Sequence, residues 1–97
     1  MKPIIFLPEA EEEMVEAARF YETQTSGLGA DFLLEIRRVT EGISKNPRAG
    51  RILRGKVRRR LVRRFPYGLL YRIDPDEIVV MAVMHLRRSP GYWRGRR

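Results

Sequence analysis

The chain has 97 residues, 43% of them hydrophobic and 33% charged, with no cysteine, one histidine and a net charge of +8. That length suits one domain, residues 1–97, with a single core that buries about two-thirds of the unfolded surface and leaves little room for a deep enclosed pocket. The composition excludes a disulfide framework and a thiolate or histidine-rich metal site, periodic apolar runs argue against disorder, and no run approaches the ~20 residues of a membrane span or the apolar stretch of a signal peptide.

In chain order, Pro3-Ile4-Ile5-Phe6-Leu7 reads as a short first strand. Pro8 opens a helix, with acidic residues in the first turn where they suit the positive end of the helix dipole. Ala10, Met14, Ala17, Ala18 and Tyr21 recur at helical spacing, and Gly27 is expected as the C-cap. A second helix is expected from Leu28 to Lys45, with Leu28, Phe32, Ile36, Val39 and Ile43 as its apolar stripe and Asn46-Pro47 as its stop. Gly50–Leu53 suits a short edge strand. Val57–Phe65 suits a strand with broken alternation, which a bulge would explain. Tyr67–Ile73 places Tyr67, Leu69, Tyr71 and Ile73 on one face, with the two tyrosines read as core. Asp74-Pro75-Asp76-Glu77 is a hairpin turn, and Ile78–Met84 is a continuous apolar run that fits a central strand covered on both faces. Residues 85–97 form a basic tail.

The expected fold is α+β, an N-terminal strand and a helical hairpin packed on one face of a small, mainly antiparallel twisted sheet. Two clusters are read as structural. Glu11-Glu12-Glu13 is a solvated first turn, and Gly27-x-Gly29 is a turn rather than a phosphate loop, because no strand precedes it and no lysine follows.

Charge divides the chain. Residues 1–50 carry six Lys/Arg against nine Asp/Glu, a net of −3, whereas residues 51–97 carry fourteen against three, a net of +11. Lys56 is the only lysine of the second half. Arginine offers planar, bidentate contacts to phosphate and carboxylate, so a polyanionic or acidic partner is expected. The arginines are expected on the sheet face away from the helices and along the cleft edges.

Several segments, in this order, resemble toxins of the RelE/ParE superfamily from type II toxin–antitoxin systems. These are Phe6-x-Pro8-x-Ala10 with Ala18 and Phe20-Tyr21-Glu22, then Gly27-Leu28-Gly29, Phe32 and Asn46-Pro47-x-x-Gly50. Next come Arg63-Arg64-Phe65-Pro66-Tyr67-Gly68-Leu69-Leu70-Tyr71-Arg72-Ile73 and Ile78-Val79-Val80-x-Ala82-Val83-x-His85-x-Arg87-Arg88-x-Pro90. The resemblance implies a cognate antitoxin, an acidic amphipathic segment of which would lie along the arginine-rich sheet and fold on binding. No cofactor or metal is expected; with no signal peptide or membrane span the expected location is the cytoplasm, without membrane contact, and the oligomeric state is open.

Two mechanisms occur in the superfamily. ParE-like members poison DNA gyrase by binding, and the terminal His85-Leu86-Arg87-Arg88 resembles their last strand. RelE-like members cut mRNA on the ribosome, which needs acid–base groups and cations around the reacting phosphate. The resemblance would assign that chemistry to Arg63, His85 and Tyr92, but the paired lysines of RelE are represented only by nearby Lys56 and Arg58, and Leu86 falls closest to its second arginine. Under either mechanism the implied target-contacting residues are Lys56, Arg58, Arg60, Arg63, Arg64, Arg87, Arg88 and Trp93. The ParE-like reading is favoured, with the ribonuclease and a non-toxic basic nucleic-acid-binding module as alternatives.

Overall fold

The computed structural model describes residues 2–97. Strand β1 (Ile4–Phe6) leads into helices α1 (Pro8–Gln24) and α2 (Leu28–Lys45), and a 3-10 turn at Pro47–Ala49 precedes strands β2 (Arg51–Arg54), β3 (Val57–Leu61), β4 (Tyr67–Ile73) and β5 (Ile78–His85). The five strands form one sheet in the order β1-β5-β4-β3-β2. β1 runs parallel to β5, and the other neighbours are antiparallel. The expected α+β architecture is therefore present.

The helical hairpin depends on a close crossing. The expected C-cap Gly27 is instead the N-cap of α2, with φ +89°, and α1 ends on Thr25. The Glu22 carboxylate accepts the backbone N–H groups of Gly27 and Gly29, each at 2.9 Å, which supplies partners at a helix N-terminus that has no side-chain cap of its own. A Cβ on Gly29 would sit 2.5 Å from the Ala18 carbonyl oxygen, so only glycine permits this approach.

Phe32, Ile36 and Ile43 of α2 are buried, and Phe32 packs against Tyr21, Phe65 and Tyr67 with ring centroids 5.1–5.4 Å apart. Tyr71 is fully buried, and its hydroxyl donates to the Pro47 carbonyl at 2.6 Å.

Register shifts lie in strands other than the one expected, one between Ile52 and Arg54 of β2 where it pairs with β3 and one in β5. β3 stops at Leu61, pairs with β4 in unbroken register, and gives way to a bend at residues 62–66, where Arg64 takes φ 72°. Leu61 is exposed, whereas Val62 and Phe65 are buried. The shift in β5 is a bulge: Leu70 faces Ala82 while Tyr71 faces Val80, leaving Met81 as the extra residue. Its neighbours are buried throughout, which accounts for the unbroken apolar run.

The arginines of β3 divide between the two faces. Arg58 pairs with Tyr71 and Arg60 with Leu69, so both share the helix side with those buried residues, whereas Arg59 pairs with Leu70 on the opposite face. Arg58 donates to the carbonyls of Arg48 and Gly50 at 3.0 and 2.9 Å, and the Arg60 guanidinium lies over Gly42 of α2. The expectation that the arginines avoid the helix side holds for Arg59 but not for these two.

Candidate target-binding site

At the C-terminal end of β5, α1 and the tail enclose an open groove of about 200 Å³, lined by Glu13, Phe20, Tyr67, His85, Arg88 and Tyr92 among others. Its organising group is Glu13. One carboxylate oxygen accepts the Val83 N–H at 3.0 Å and Arg96 Nη1 at 2.9 Å, and the other accepts the Tyr92 hydroxyl at 2.7 Å and Arg96 Nη2 at 3.0 Å. Arg96 also donates to the Met81 carbonyl at 2.9 Å, the extra residue of the bulge. A single carboxylate on α1 thus ties the last strand to a tail more than 75 positions away.

The electrostatics follow from this geometry. Burial opposes the charge on Glu13, but hydrogen bonds from Arg96, Tyr92 and Val83 together outweigh it and hold its acidity below the ordinary carboxyl value. Burial, reinforced by the hydrogen bond to the Glu13 anion, pushes the Tyr92 phenol far above its usual range. Arg88 lies over the Tyr92 ring at 4.0 Å, and Arg96 at 5.0 Å. His85 packs edge-on to Tyr67 with centroids 5.0 Å apart, and its Nδ1 accepts the Arg87 N–H at 3.1 Å. In the neutral ring the proton then sits on Nε2.

The groove brings together His85, Arg88 and Tyr92, with exposed Arg87 next along the chain. Arg63 does not line it; it is exposed on the 62–66 bend. Arg64, on the same bend, lies 3.7 Å from Asp31 and packs against the Phe65 ring. Arg60 is under α2, and Lys56 and Arg58 lie at the opposite end of the sheet beside the β4–β5 turn. Trp93 is buried and lines a separate groove with Leu53, Arg59, Met84 and Leu86.

Sequence reasoning missed Glu13 and Arg96. Glu13 is half-buried rather than part of a solvated turn, because Tyr92 and Arg96 fold back onto it. A signal was present: Glu13 falls three residues after Ala10 and four before Ala17, on the apolar stripe of α1. An acid on that stripe requires a partner when the stripe is buried.

A helical hairpin on a five-stranded sheet, with a polar groove beside the end of the last strand, is the arrangement found here, and the family match places it among the toxins of type II toxin–antitoxin systems. The chain belongs to the ParE toxin family: residues 4–90 match the model of the ParE toxin of the type II system parDE. The match stops before Tyr92, Trp93 and Arg96. In structure the chain is similar to one described as a chromosomal ParDE toxin–antitoxin system from P. aeruginosa, with a TM-score of 0.68 and 17% identity over 90% of this chain and 98% of that one. At that identity the likeness is one of fold. No curated protein sequence matches this one. Among the described residues, no helix is long and apolar enough to cross a membrane.

Proposed function

We propose that this protein arrests growth by binding DNA gyrase and is neutralised by a cognate antitoxin. Membership of the ParE family supports the toxin reading, and the engagement of Tyr92 by Glu13 carries the choice of mechanism. A general acid–base group works best with a pKa near the operating pH. Tyr92 is held protonated by a neighbouring anion, and Arg63 lies outside the groove that holds His85 and Tyr92. The same groove suits recognition, because Arg87 and Arg88 stand exposed just beyond the last strand, braced by the anchored tail. Cations so placed steer an acidic protein surface into register and accelerate encounter. Buried Trp93 serves this contact by fixing the tail.

The test is a supercoiling assay with purified gyrase, paired with separate labelling of DNA and protein synthesis after induction. Supercoiling is expected to stop and DNA synthesis to fall first, with both effects lost in Arg87→Ala/Arg88→Ala. Protein synthesis falling first, with mRNA fragments ending in 2′,3′-cyclic phosphates, would establish the ribonuclease instead. Unaffected growth would leave the non-toxic binding module. For the antitoxin, co-expression of a small acidic protein encoded beside the toxin is expected to restore growth, and its failure to bind would remove that part of the proposal.

A further inference from the structure

A second basic site lies at the opposite end of the sheet from the groove of Glu13, His85 and Tyr92. Lys2 before β1, Arg48 of the 3-10 turn, Lys56 of the β2–β3 turn and Arg58 of β3 line one open groove of about 450 Å³, with Ile73 and Asp74 of the β4 end. These cations come from separate segments of the chain, and the fold assembles them.

Their charge is not neutralised within the molecule. Among the described residues, none of the four lies within 4.0 Å of a carboxylate; the ion pairs of the protein are made by Arg38, Arg64, Arg72 and Arg96. Asp74, the acid of the groove, is held by Arg72 through both carboxylate oxygens at 3.0 and 3.1 Å. The bonds that hold the groove's own cations go to neutral acceptors. Lys2 Nζ donates to the Asp74 backbone carbonyl at 2.8 Å, and Arg58 donates to the carbonyls of Arg48 and Gly50. These contacts position the cations and leave their charge for a ligand. Convergence of like charges without counter-charge opposes folding, so an anion bound there would relieve that repulsion.

The surroundings restrict that anion. No aromatic residue lines the groove, so nucleobases have nothing to stack on, and no deep apolar pocket is present to seat the anchors of a peptide. Exposed Arg51 and Arg54 on the neighbouring β2 edge extend the positive charge beyond the groove. An open, extended, stack-free row of cations matches a phosphodiester backbone. We infer that this groove binds duplex DNA through its phosphates, without regard to sequence. The site shares no residue with the groove of Glu13, His85 and Tyr92, and the eight residues of β5 set the two ends of the strand roughly 25 Å apart, so one molecule can hold DNA and a protein target together.

Fluorescence anisotropy of the full-length protein with short labelled duplexes of two unrelated sequences, across a salt series, tests this. The two duplexes are expected to bind equally, with log Kd rising against log salt at a slope of roughly 3–4, as four phosphate contacts require. Lys2→Ala/Arg48→Ala is expected to weaken binding roughly tenfold and lower the slope by about 2, whereas Lys2→Arg/Arg48→Lys retains both. Arg87→Ala/Arg88→Ala, with the same loss of charge at the other end, is expected to leave affinity within about twofold. Equal weakening by the two alanine pairs would show binding by net charge and overturn the site. So would loss of binding in the charge-conserving pair, or a groove that binds polyglutamate and not DNA. Failure of the gyrase reading appears separately, as intact supercoiling with DNA binding unchanged.

Discussion

At the scale of single residues, Glu13 has the most concentrated role, since its two oxygens take four donors from β5 and the tail. Glu13→Ala leaves Arg96 and the Tyr92 hydroxyl without their acceptor and is expected to cost about 1.5–3 kcal/mol in urea unfolding, the range for hydrogen bonds to a charged group. Its pH dependence has a definite sign. The folded-state acidity lies below the ordinary value of 4.5, so the stabilisation is complete above that pH and is lost as pH falls through the lowered folded value. The stability difference between the wild type and Glu13→Gln is therefore expected to be constant near neutrality and to shrink in acid. A difference that grew in acid would contradict the ion pair. Sequence reasoning identified His85, Arg88 and Tyr92 as candidate site residues but treated Glu13 as one of three solvated acids. A run of glutamates at a helix start is ordinarily solvated; the place of Glu13 on the apolar stripe sets it apart, and its partner lies 83 positions away.

At the scale of elements, helix α2 was legible because its apolar stripe and its stop at Asn46-Pro47 agree with each other. The β3 region was not, because a strand that ends in a bend and a strand that carries a bulge both break alternation. The bulge itself sits at Met81, inside a run so uniformly apolar that a change of face leaves no mark on it. The hairpin crossing gives a sharp expectation. Gly29→Ala drives a methyl group into the Ala18 backbone carbonyl, which cannot turn aside as a flexible side chain would. The helices must separate, and a loss of about 1–3 kcal/mol is expected by thermal or urea unfolding. Phe32→Ala, which empties the centre of the Tyr21-Phe65-Tyr67 cluster, is expected to cost about 3–5 kcal/mol by the same measurement.

At the scale of the whole molecule, the division of charge by sequence is not a division by layer. Arg58 and Arg60 of the basic half are on the helix side of the sheet, Arg59 is on the other face, and cations without an ion pair line both ends of the sheet and the face under the tail. The charge balance of the halves was legible, but this distribution depends on strand register, which the sequence leaves open wherever arginine occupies consecutive positions. The strand order has a consequence of its own for synthesis. β1 has its hydrogen-bonding partner more than 70 positions later, at residues 78–80, and α1 packs against that same strand. A chain ended after Glu77 is therefore expected to show no cooperative unfolding transition, monitored by circular dichroism in urea, because it lacks the strand between β1 and β4. During translation the helical hairpin emerges early but has no completed sheet to rest on until β5 follows it. The finished surface is thus completed as a unit when β5 joins the sheet, rather than by degrees.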